Sequence, residues 1–599
     1  MGDIFLHRAV RWILIGFVTY VYSISFEWNP IFAIFVVGAF AYCFSGVASL
    51  LVNFFVYLFT KPLILPEVEG MAKDGIPAEV KVAFFRPIFA KSTPEMDTVL
   101  NSMRQDIMNN QEPAKNLKFI VVDNSRDENV KAYTCQRIKE MQGEFGEGVV
   151  FYFHRNVKCD FFKKLGIYED AIMLLHEGWT RPGHYTDKKW EAWTKGTRNP
   201  GLPTWDVIMG DVRALGIDGS VEDILAGRPV KVDASARAKV AIVCDADNVW
   251  PKGQVRKLVA KMMHPDNKKY TIYQPSIEIA NPNENGYIKM TVWAREMYGF
   301  DPVARWRIYK FAPFYGKGAM LIENYAPQII RSEALHPGKA ASHDFQEALH
   351  TWSVLLEDVY ILEKTFSNKL AELTRVASWY WGDLETVRQY LLKPFEAGRK
   401  AHLFTLLRNV AGPAIFVFWA MGQILAWEFE NLADMSRPDL LFWLFAVIVM
   451  SSSILPKIFS PLIGKFKKKC YPVAYLLLSQ KNIFAIIAIA LFELAASVLI
   501  HMQDLFYKPI ASLRNYIQQT TGKAFVWKTG AMTEIETANA TLLKTYRLLM
   551  PSVIVGCILL ALVIIGLLPN AAALLLSPYI ASFILGPAAT WLALKPLKN

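Results

Sequence analysis

Charged residues are scarce in this chain, and its few cysteines are scattered. Only 20% of the 599 residues are Asp, Glu, Lys or Arg, whereas 53% are hydrophobic. The six cysteines include no C-x-x-C pair, so neither a zinc site nor a disulfide framework is indicated. This low charge content makes a membrane protein the first class to consider.

Long uncharged runs support the membrane class. Residues 548–594 contain no Asp, Glu, Lys or Arg, and one spanning helix needs only about 20 apolar residues. The pair Pro569-Asn570 within this run predicts a helical hairpin. The first of the other candidate spans has no small-residue cleavage site, so it is interpreted as a retained anchor. The other candidates are residues 12–26, 28–60, 409–427 and 440–456.

Flanking charges predict the orientation of these spans, because Lys and Arg concentrate on the cytoplasmic side. The net charge of +11 is assigned to this effect, and no nucleic-acid partner is expected. The acidic segment 428–439 is placed outside and the basic segment 465–469 inside. Segment 482–503 allows two topologies. It is interfacial or re-entrant if there are six spans, the preferred number, and it crosses if there are seven.

The region from residue 62 to residue 400 differs from the rest, since short apolar runs there alternate with charged or helical stretches. This alternation predicts a mostly parallel α/β sheet in a cytoplasmic domain inserted into the membrane domain. Residues 93–110 predict a helix with Thr93 as its N-cap. The candidate strands are residues 80–85, 117–123, 149–154, 239–245 and 270–279.

The predicted organisation has five parts. It begins with two transmembrane helices, continues through the cytoplasmic domain with interfacial helices at its C-terminal end, and then returns to transmembrane or interfacial helices. A cytoplasmic amphipathic segment and a C-terminal transmembrane hairpin follow. The respective ranges are 1–61, 62–400, 401–503, 504–546 and 547–599.

Acidic residues follow two of the candidate strands. Asp123 ends one strand, and Asp245 and Asp247 follow another in the stretch "VAIVCDADNVWPKG". A solvated turn is the ordinary interpretation of such a D-x-D pair. However, parallel sheets bind ligands beyond the carboxyl ends of their strands, and carboxylates suit Mg²⁺ or Mn²⁺ bound to a diphosphate. The D-x-D pair is therefore predicted to hold one of these metals.

Later motifs complete a recognisable order. "ASHDFQEALHTW" contains a further Asp, and "LTRVASWYWGDLE" supplies an Arg and Trp segment. This order resembles that of processive, membrane-embedded family 2-type glycosyltransferases with a GT-A (Rossmann-like) fold. The stretches "CDADNVWPKGQVRKLVAKMMHPDN", "FYFHRN" and "FYGKGAM" are similar to those of cyclic β-1,2-glucan synthases. "SHDFQEA" and "FVWKTG" also resemble osmoregulated periplasmic glucan glucosyltransferases.

The resemblance implies a role for each matching acid. Asp123 would contact the uracil or ribose of a nucleotide sugar, and Asp245 and Asp247 would hold the metal on its diphosphate. Asp344 would be the general base that deprotonates the acceptor hydroxyl, with His343 orienting it or serving as a buried structural histidine. The pair Glu357-Asp358 is a rival base, but alignment through "SHDFQEA" favours Asp344.

Further donor and acceptor contacts are also implied. Trp379 and Trp381 would bind the acceptor sugar, with core packing or a membrane-surface belt as the alternative. The residue before Trp379 is Ser378 rather than the family's Arg, which leaves open whether Arg375 faces the diphosphate. Lys317, between two glycines, is assigned to the donor site, where a plain turn is the alternative. Lid residues over the nucleotide would be Trp527, Lys528 and Thr529.

The implied function is an inverting β-glucan synthase of the cytoplasmic (inner) membrane, with UDP-glucose as donor, the growing glucan as acceptor and export through its own helices. The β-1,2 linkage is favoured. Transfer of one sugar to a lipid carrier and non-catalytic sensing of nucleotide sugars are the alternatives. Linkage, primer, product length and oligomeric state stay open.

Overall fold

The computed structural model describes most of the chain, and its residues form two compact units. The sheet unit is Leu63–Ala280 with Phe311–Lys364, and the helical unit is Met1–Pro62, Asn281–Lys310 and Thr365–Asn599. Residues described are 2–23, 30–112, 115–156, 163–182, 204–332, 335, 344–428, 455–462, 481–523, 534, 536–537, 540–568 and 570–596.

Helices and strands are numbered here along the chain. The helices are α1 Gly2–Ser23, α2 Pro30–Phe59, α3 Met71–Asp74, α4 Thr93–Asn110, α5 Glu128–Phe145, α6 Lys163–Glu177, α7 Val221–Leu225, α8 Gln254–Met263, α9 Gly286–Tyr298, α10 Phe300–Tyr309, α11 Ile322–Tyr325, α12 Asp344–His350, α13 Lys369–Tyr390, α14 Ala397–Glu428, α15 Ile483–His501, α16 Asp504–Thr520, α17 Leu542–Leu548, α18 Met550–Ile564 and α19 Asn570–Ala593. The strands are β1 Lys81–Ile88, β2 Leu117–Asp123, β3 Val150–Asn156, β4 Thr204–Met209, β5 Ile217–Asp218, β6 Lys231–Val232, β7 Ala238–Val243, β8 Ile272–Ile279, β9 Gly318–Leu321 and β10 Ser353–Glu363.

The sheet unit is built on a mixed sheet of eight strands in the order β10-β8-β9-β7-β1-β2-β3-β4. Strand β1 pairs in parallel with β2 and β7, β2 with β3, and β8 with β10. Only β4 at the edge and β9 inside the sheet run antiparallel to their neighbours. Because β2 and β7 both lie parallel to β1, their carboxyl ends reach the same edge of the sheet.

The central strands are near-continuous apolar runs, as expected for a sheet covered on both faces. All seven residues of β2 are buried, and β7 is buried at every position but one. One face packs on α6, where Tyr168 and Ile172 have no exposed surface. The polar groups that follow these strands are consequently held on a rigid support.

The sequence prediction of this sheet is confirmed in its main features, with local corrections. The five predicted strands correspond to β1, β2, β3, β7 and β8, and most strands of the sheet are parallel. The helix predicted over residues 93–110 is α4, but Thr93 is its first helical residue rather than its N-cap. Ser92 occupies the cap position in an extended conformation, without a side-chain capping bond.

The helical unit contains the apolar helices. Five helices in the described part of the chain are long and apolar enough to cross a membrane: Ile4–Ser23, Ile34–Phe59, Ala397–Gly422, Ile483–His501 and Leu576–Ala593. Helices α17 and α18 become a sixth candidate if they are one span bent by 79°. The segment left between two topologies is therefore a helix of spanning length, whereas the candidate span 440–456 lies almost entirely outside the described residues.

Candidate active site

A buried ion pair contacts the backbone of the turn after β7. Arg86 on β1 and Asp106 on α4 pair with each other, and neither has more than 2% of its surface exposed. Arg86 also donates to the backbone carbonyls of Asp245, at 2.8 Å, and Asn248, at 2.6 Å. The Asn248 side chain accepts the Asp245 N–H at 2.8 Å. The turn that carries Asp245 and Asp247 is therefore held in place by contacts on its own backbone.

Two lysines contact the Asp245 carboxylate. Lys164 Nζ lies 2.5 Å from Asp245 Oδ1, and Lys317 Nζ lies 3.1 Å from Oδ2. Lys317 also pairs with Glu363 at the end of β10. Lys164 donates to the carbonyl of Gly316 at 2.8 Å, which ties the start of α6 to the loop before β9. Side chains from four separate segments thus meet at the end of β7.

The Asp344 carboxylate also lies close to these side chains, beside the loop that carries Lys317. Gly316 has a φ of +73°, and a Cβ added to it would lie 2.7–2.8 Å from the carboxyl atoms of Asp344. Glycine is therefore required at 316 both for its backbone conformation and for the space that the carboxylate occupies. Burial lowers the pKa of Lys164, but the charges of Asp245 and Asp344 outweigh this effect and the pKa is raised. Lys164, Asp245, Lys317, Asp344 and Glu363 are called the strand-end cluster below.

Asp123 is buried at the end of β2 and is held by internal hydrogen bonds. One carboxylate oxygen accepts the Ser125 N–H at 2.7 Å, and the other accepts the Tyr152 hydroxyl at 2.8 Å. Burial raises the pKa of this carboxyl group. The location at the carboxyl edge of the sheet agrees with the predicted donor site, while the contact with uracil or ribose stays a prediction.

His154 next to Asp123 has an acceptor on each side of its ring. Nε2 lies 2.8 Å from the Ser125 carbonyl, and Nδ1 contacts the Asp206 carboxylate. A carbonyl and an ionised carboxylate can only accept, so this arrangement favours the imidazolium form, in which both ring nitrogens donate. Burial lowers the pKa of His154, but the bond to Asp206 and the charge of Asp123 outweigh it, and the pKa is raised.

The rival base pair lies elsewhere in the sheet unit. Glu357 on β10 is buried and accepts the Leu63 N–H at 3.2 Å. Asp358 pairs with Lys257 at 2.7 Å and with Lys261 at 3.0 Å, both on α8. Both acids therefore make structural contacts within the sheet unit. Among the described residues, Asp344 is the better placed candidate for a general base at the strand-end cluster.

The acceptor candidates belong to the helical unit. On α13, Arg375 stacks its guanidinium over Phe366, at 5.0 Å from the ring centre, and over Trp379, at 5.8 Å. Trp379 is 42% exposed, whereas Trp381 is only 8% exposed. Core packing is therefore the simpler account of Trp381, and Trp379 keeps an indole face that a sugar can reach.

Four predicted site residues lie outside the described residues: His343, Trp527, Lys528 and Thr529. Conversely, the sequence argument missed Lys164 and Glu363, which contact the predicted residues directly. Lys164 stands eight residues beyond β3, at the start of α6, and Glu363 ends β10. Their positions at an N-terminal helix turn and a strand end were the available signals, but neither has a distinctive spacing.

Asp245 and Asp247 fit the predicted Mg²⁺ or Mn²⁺ in donor type and charge. The strand-end cluster sets three carboxylates against two ammonium groups, and Asp247 on the same turn adds a fourth carboxylate. Counted over the described residues, carboxylates outnumber ammonium groups here, and carboxylate oxygens are the preferred ligands of a divalent cation. The cation and the two lysines would share the oxygens of Asp245.

A second group in the helical unit has metal-ligand distances but is filled by a lysine. One ligand atom each from Glu372, His501 and Asp504 lie within 4.8 Å of one another. The Lys369 ammonium contacts all three, at 3.2, 3.0 and 2.7 Å respectively, and has no exposed surface. These four residues, named the Lys369 cluster, already contain their cation.

Comparison with known proteins identifies no family. No family model matches the chain, and no curated protein matches it. Among solved structures, the chain is similar to the mannosyltransferase PcManGT from Pyrobaculum calidifontis in complex with GDP-mannose and Mn²⁺. The alignment covers 74% of this chain and 96% of that one, at 10% identity and a TM-score of 0.37. A likeness of this size carries no argument, so function has to be inferred from the site itself.

Proposed function

We propose that the chain is an inverting, membrane-embedded glycosyltransferase that uses a nucleotide sugar, with UDP-glucose as the favoured donor. The observation that supports this proposal is the strand-end cluster. It combines two ammonium groups and a D-x-D turn, which suit a diphosphate, with a separate carboxylate on Asp344. All of these groups lie at the carboxyl edge of a mostly parallel sheet, where such folds bind ligands.

Lys164 and Lys317 are assigned to the leaving group. As the bond between the anomeric carbon and the diphosphate oxygen breaks, negative charge grows on that oxygen, and positioned ammonium groups stabilise it. Asp245 keeps both ammonium groups at the end of β7. A divalent cation held by Asp245 and Asp247 supplies further neutralisation of the diphosphate when it is bound.

Asp344 is assigned to the acceptor. Its carboxylate takes the proton of the attacking hydroxyl while the hydroxyl oxygen forms the new bond to the anomeric carbon. Displacement from the face opposite the leaving group inverts the configuration, so an α-linked donor gives a β-linked product. Gly316 permits the close approach of Asp344 to the loop that carries Lys317.

The finer proposal is synthesis of a β-1,2-linked glucan at the cytoplasmic face of the inner membrane, with export through the helical unit. The apolar helices of that unit support membrane insertion. Trp379, with its exposed indole face and the Arg375 guanidinium next to it, is assigned to the acceptor sugar. Lid residues Trp527 to Thr529 are assigned to the nucleotide.

The decisive experiment uses the purified full-length protein in lipid nanodiscs with UDP-glucose, UDP-galactose, GDP-mannose and Mn²⁺ or Mg²⁺. Release of nucleoside diphosphate and linkage analysis of the product are measured. A β-linked glucan from UDP-glucose is the expected result. A single sugar on a lipid acceptor would replace the polymerase proposal, and donor binding without any release would indicate a sensor.

Asp344→Asn tests the assignment of the base within the same assay. Loss of the base should lower the turnover by about 10²–10⁴-fold. Donor affinity, measured by calorimetry, should change little because the nucleotide is assigned to other groups. Asp358→Asn is the control, because Asp358 pairs with the lysines of α8. If Asp358→Asn abolishes turnover and Asp344→Asn does not, the base is misassigned.

A further inference from the structure

From Ile510 onward, helix α16 directs two amide side chains toward the protein and a row of apolar side chains outward. Asn515, which has no exposed surface, donates to the Ala377 carbonyl at 2.7 Å, and Gln519 donates to the Trp381 carbonyl at 2.9 Å. In contrast, Leu513 is 61% exposed. A helix on the surface of a water-soluble protein shows the opposite arrangement, with its apolar stripe against the core.

The outward apolar residues form one continuous stripe. Ile510, Leu513 and Ile517 are spaced three and four residues apart, so they lie on one face of the helix. Each is at least 51% exposed. Tyr516 widens the stripe and is 52% exposed, with the Arg388 guanidinium 5.9 Å from its ring centre. The two charged residues of the first helical turns, Asp504 and Lys508, pair with each other instead.

Two helices that adjoin α16 belong to candidate spans and expose apolar side chains. Helix α15, which is long and apolar enough to cross a membrane, ends only two residues before α16 begins. On α15, Phe484 is 84% exposed and Phe492 is 59% exposed. Phe404 on α14, a candidate span that packs against α16, is 59% exposed. Because α16 begins where α15 ends, an apolar solvent that covers α15 to its C-terminal end lies beside the start of α16.

We propose that α16 lies in the surface of the lipid bilayer, with Ile510, Leu513 and Ile517 in the acyl boundary. The exposed Arg514 beside the stripe suits the phosphate of a headgroup, as in other interfacial helices. Through Asn515 and Gln519 the helix holds the turn of α13 that carries Trp379. The proposal adds a bilayer contact to the amphipathic segment expected at residues 504–546, and it does not depend on the transfer reaction.

The test places the photoreactive residue p-benzoylphenylalanine at position 513 of the full-length protein. The protein is reconstituted in vesicles of phosphatidylcholine and phosphatidylglycerol, irradiated, and digested for mass spectrometry. The matched control carries the same residue at Met108 on α4 of the sheet unit, which is 69% exposed. Both positions are already exposed, so neither variant should lower the thermal unfolding midpoint.

The expected result is a phospholipid adduct on the peptide that contains position 513, at a yield at least severalfold above that at position 108. Three results would overturn the proposal. They are equal lipid yields at the two positions, an adduct between position 513 and another segment of this chain, and an adduct with a second copy. Because the readout is a covalent adduct, its outcome is separate from any result on sugar transfer.

Discussion

The strand-end cluster and the Lys369 cluster use the same kinds of side chain in opposite arrangements. In the first, a carboxylate is central: Asp245 lies between two ammonium groups, and its side chain is 28% exposed. In the second, an ammonium is central: Lys369 lies among Glu372, Asp504 and His501, with no exposed surface. One cluster presents its central group to solvent, and the other encloses it.

Charge balance separates the two clusters further. The Lys369 cluster pairs its two carboxylates with Lys369 and with Lys508, which lies 2.8 Å from Asp504. The strand-end cluster has more carboxylates than ammonium groups even before Asp247 is added. Among the described residues, the Lys369 cluster is balanced and enclosed, which suits a role in stabilising the fold, whereas the strand-end cluster is open and richer in carboxylates, which suits the binding of a cation. Lysine and carboxylate proximity alone therefore does not identify an active site.

Asp245→Asn is expected to have the largest effect on turnover, and it tests the strand-end cluster. The substitution removes the charge that holds Lys164 and Lys317, along with one assigned cation ligand. We expect turnover to fall by roughly 10²–10³-fold, the scale of losing one electrostatic stabiliser of a transition state. Diphosphate release from UDP-glucose is the measurement. The control is again Asp358→Asn, since Asp358 also contacts two lysines.

The thermal unfolding midpoint of both variants distinguishes loss of chemistry from loss of fold. Asp245→Asn should unfold at about the wild-type temperature because Asp245 is partly exposed. Full activity in Asp245→Asn, or equal losses in the two variants, would remove the distinction between this cluster and an ordinary ion pair.

Lys369→Met tests the Lys369 cluster by its effect on the free energy of unfolding. It leaves two carboxylates facing each other without their central cation, and breaking a buried ion pair costs about 3–5 kcal/mol. Glu372 and Asp504 are 21% and 14% exposed, which reduces the expected cost to about 2–4 kcal/mol. The unfolding midpoint in detergent should drop by roughly 2–3 °C, because the unfolding entropy of a chain of 599 residues is large.

The matched control for this prediction is Lys508→Met, which removes a lysine outside the Lys369 cluster that pairs with Asp504. Lys508 is 25% exposed and contacts only one of the carboxylates at 2.8 Å, so its loss should cost much less. A drop as large as that of Lys369→Met would show that total charge, not the central position, stabilises the cluster.

The sequence predicted the sheet better than it predicted the clusters. Strands β2 and β7 are apolar runs that end in acids, and local pattern was enough to find them. Strand β9 has only four residues, begins with glycine and runs antiparallel inside the sheet, so no local signal marked it. Strand β10 was missed because Glu357 and Asp358 interrupt its apolar run.

Residues of the candidate site were likewise predicted only where a local motif marked them. Asp245 and Asp344 were predicted from motifs, and the structure brings them to one cluster. Lys164 and Glu363 reach that cluster through contacts between segments far apart in the chain, which no local pattern encodes.

The dependence of activity on a divalent cation is a further test of the strand-end cluster, with a smaller expected effect. Chelation should stop diphosphate release, and Mn²⁺ or Mg²⁺ should restore it. Asp247→Asn removes one of two assigned ligands but keeps Asp245, so the Mn²⁺ concentration for half-maximal activity should rise by about tenfold, in line with about 1.4 kcal/mol. Saturating Mn²⁺ should restore most of the turnover. An unchanged Mn²⁺ requirement would assign Asp247 to the turn alone.

Substitution of His154 is expected to have the smallest effect. This residue is intermediate between the two clusters, because it is a buried cation whose charge depends on pH. The groups facing it are Asp123, Asp206, Tyr152 and, through Asp206, Lys131. Because the folded-state pKa of His154 is raised, its stabilising contribution is complete below about pH 6.5 and is lost as pH rises through the folded-state value. Between pH 6 and pH 9 the unfolding midpoint of the wild type should therefore fall by about 1 °C more than that of His154→Gln, which cannot titrate. A loss of 1 kcal/mol lowers the midpoint of a chain of 599 residues by only about 1 °C. Parallel curves for the two proteins would mean that His154 is neutral, and that Asp123 and Asp206 are held by hydrogen bonds without a buried cation.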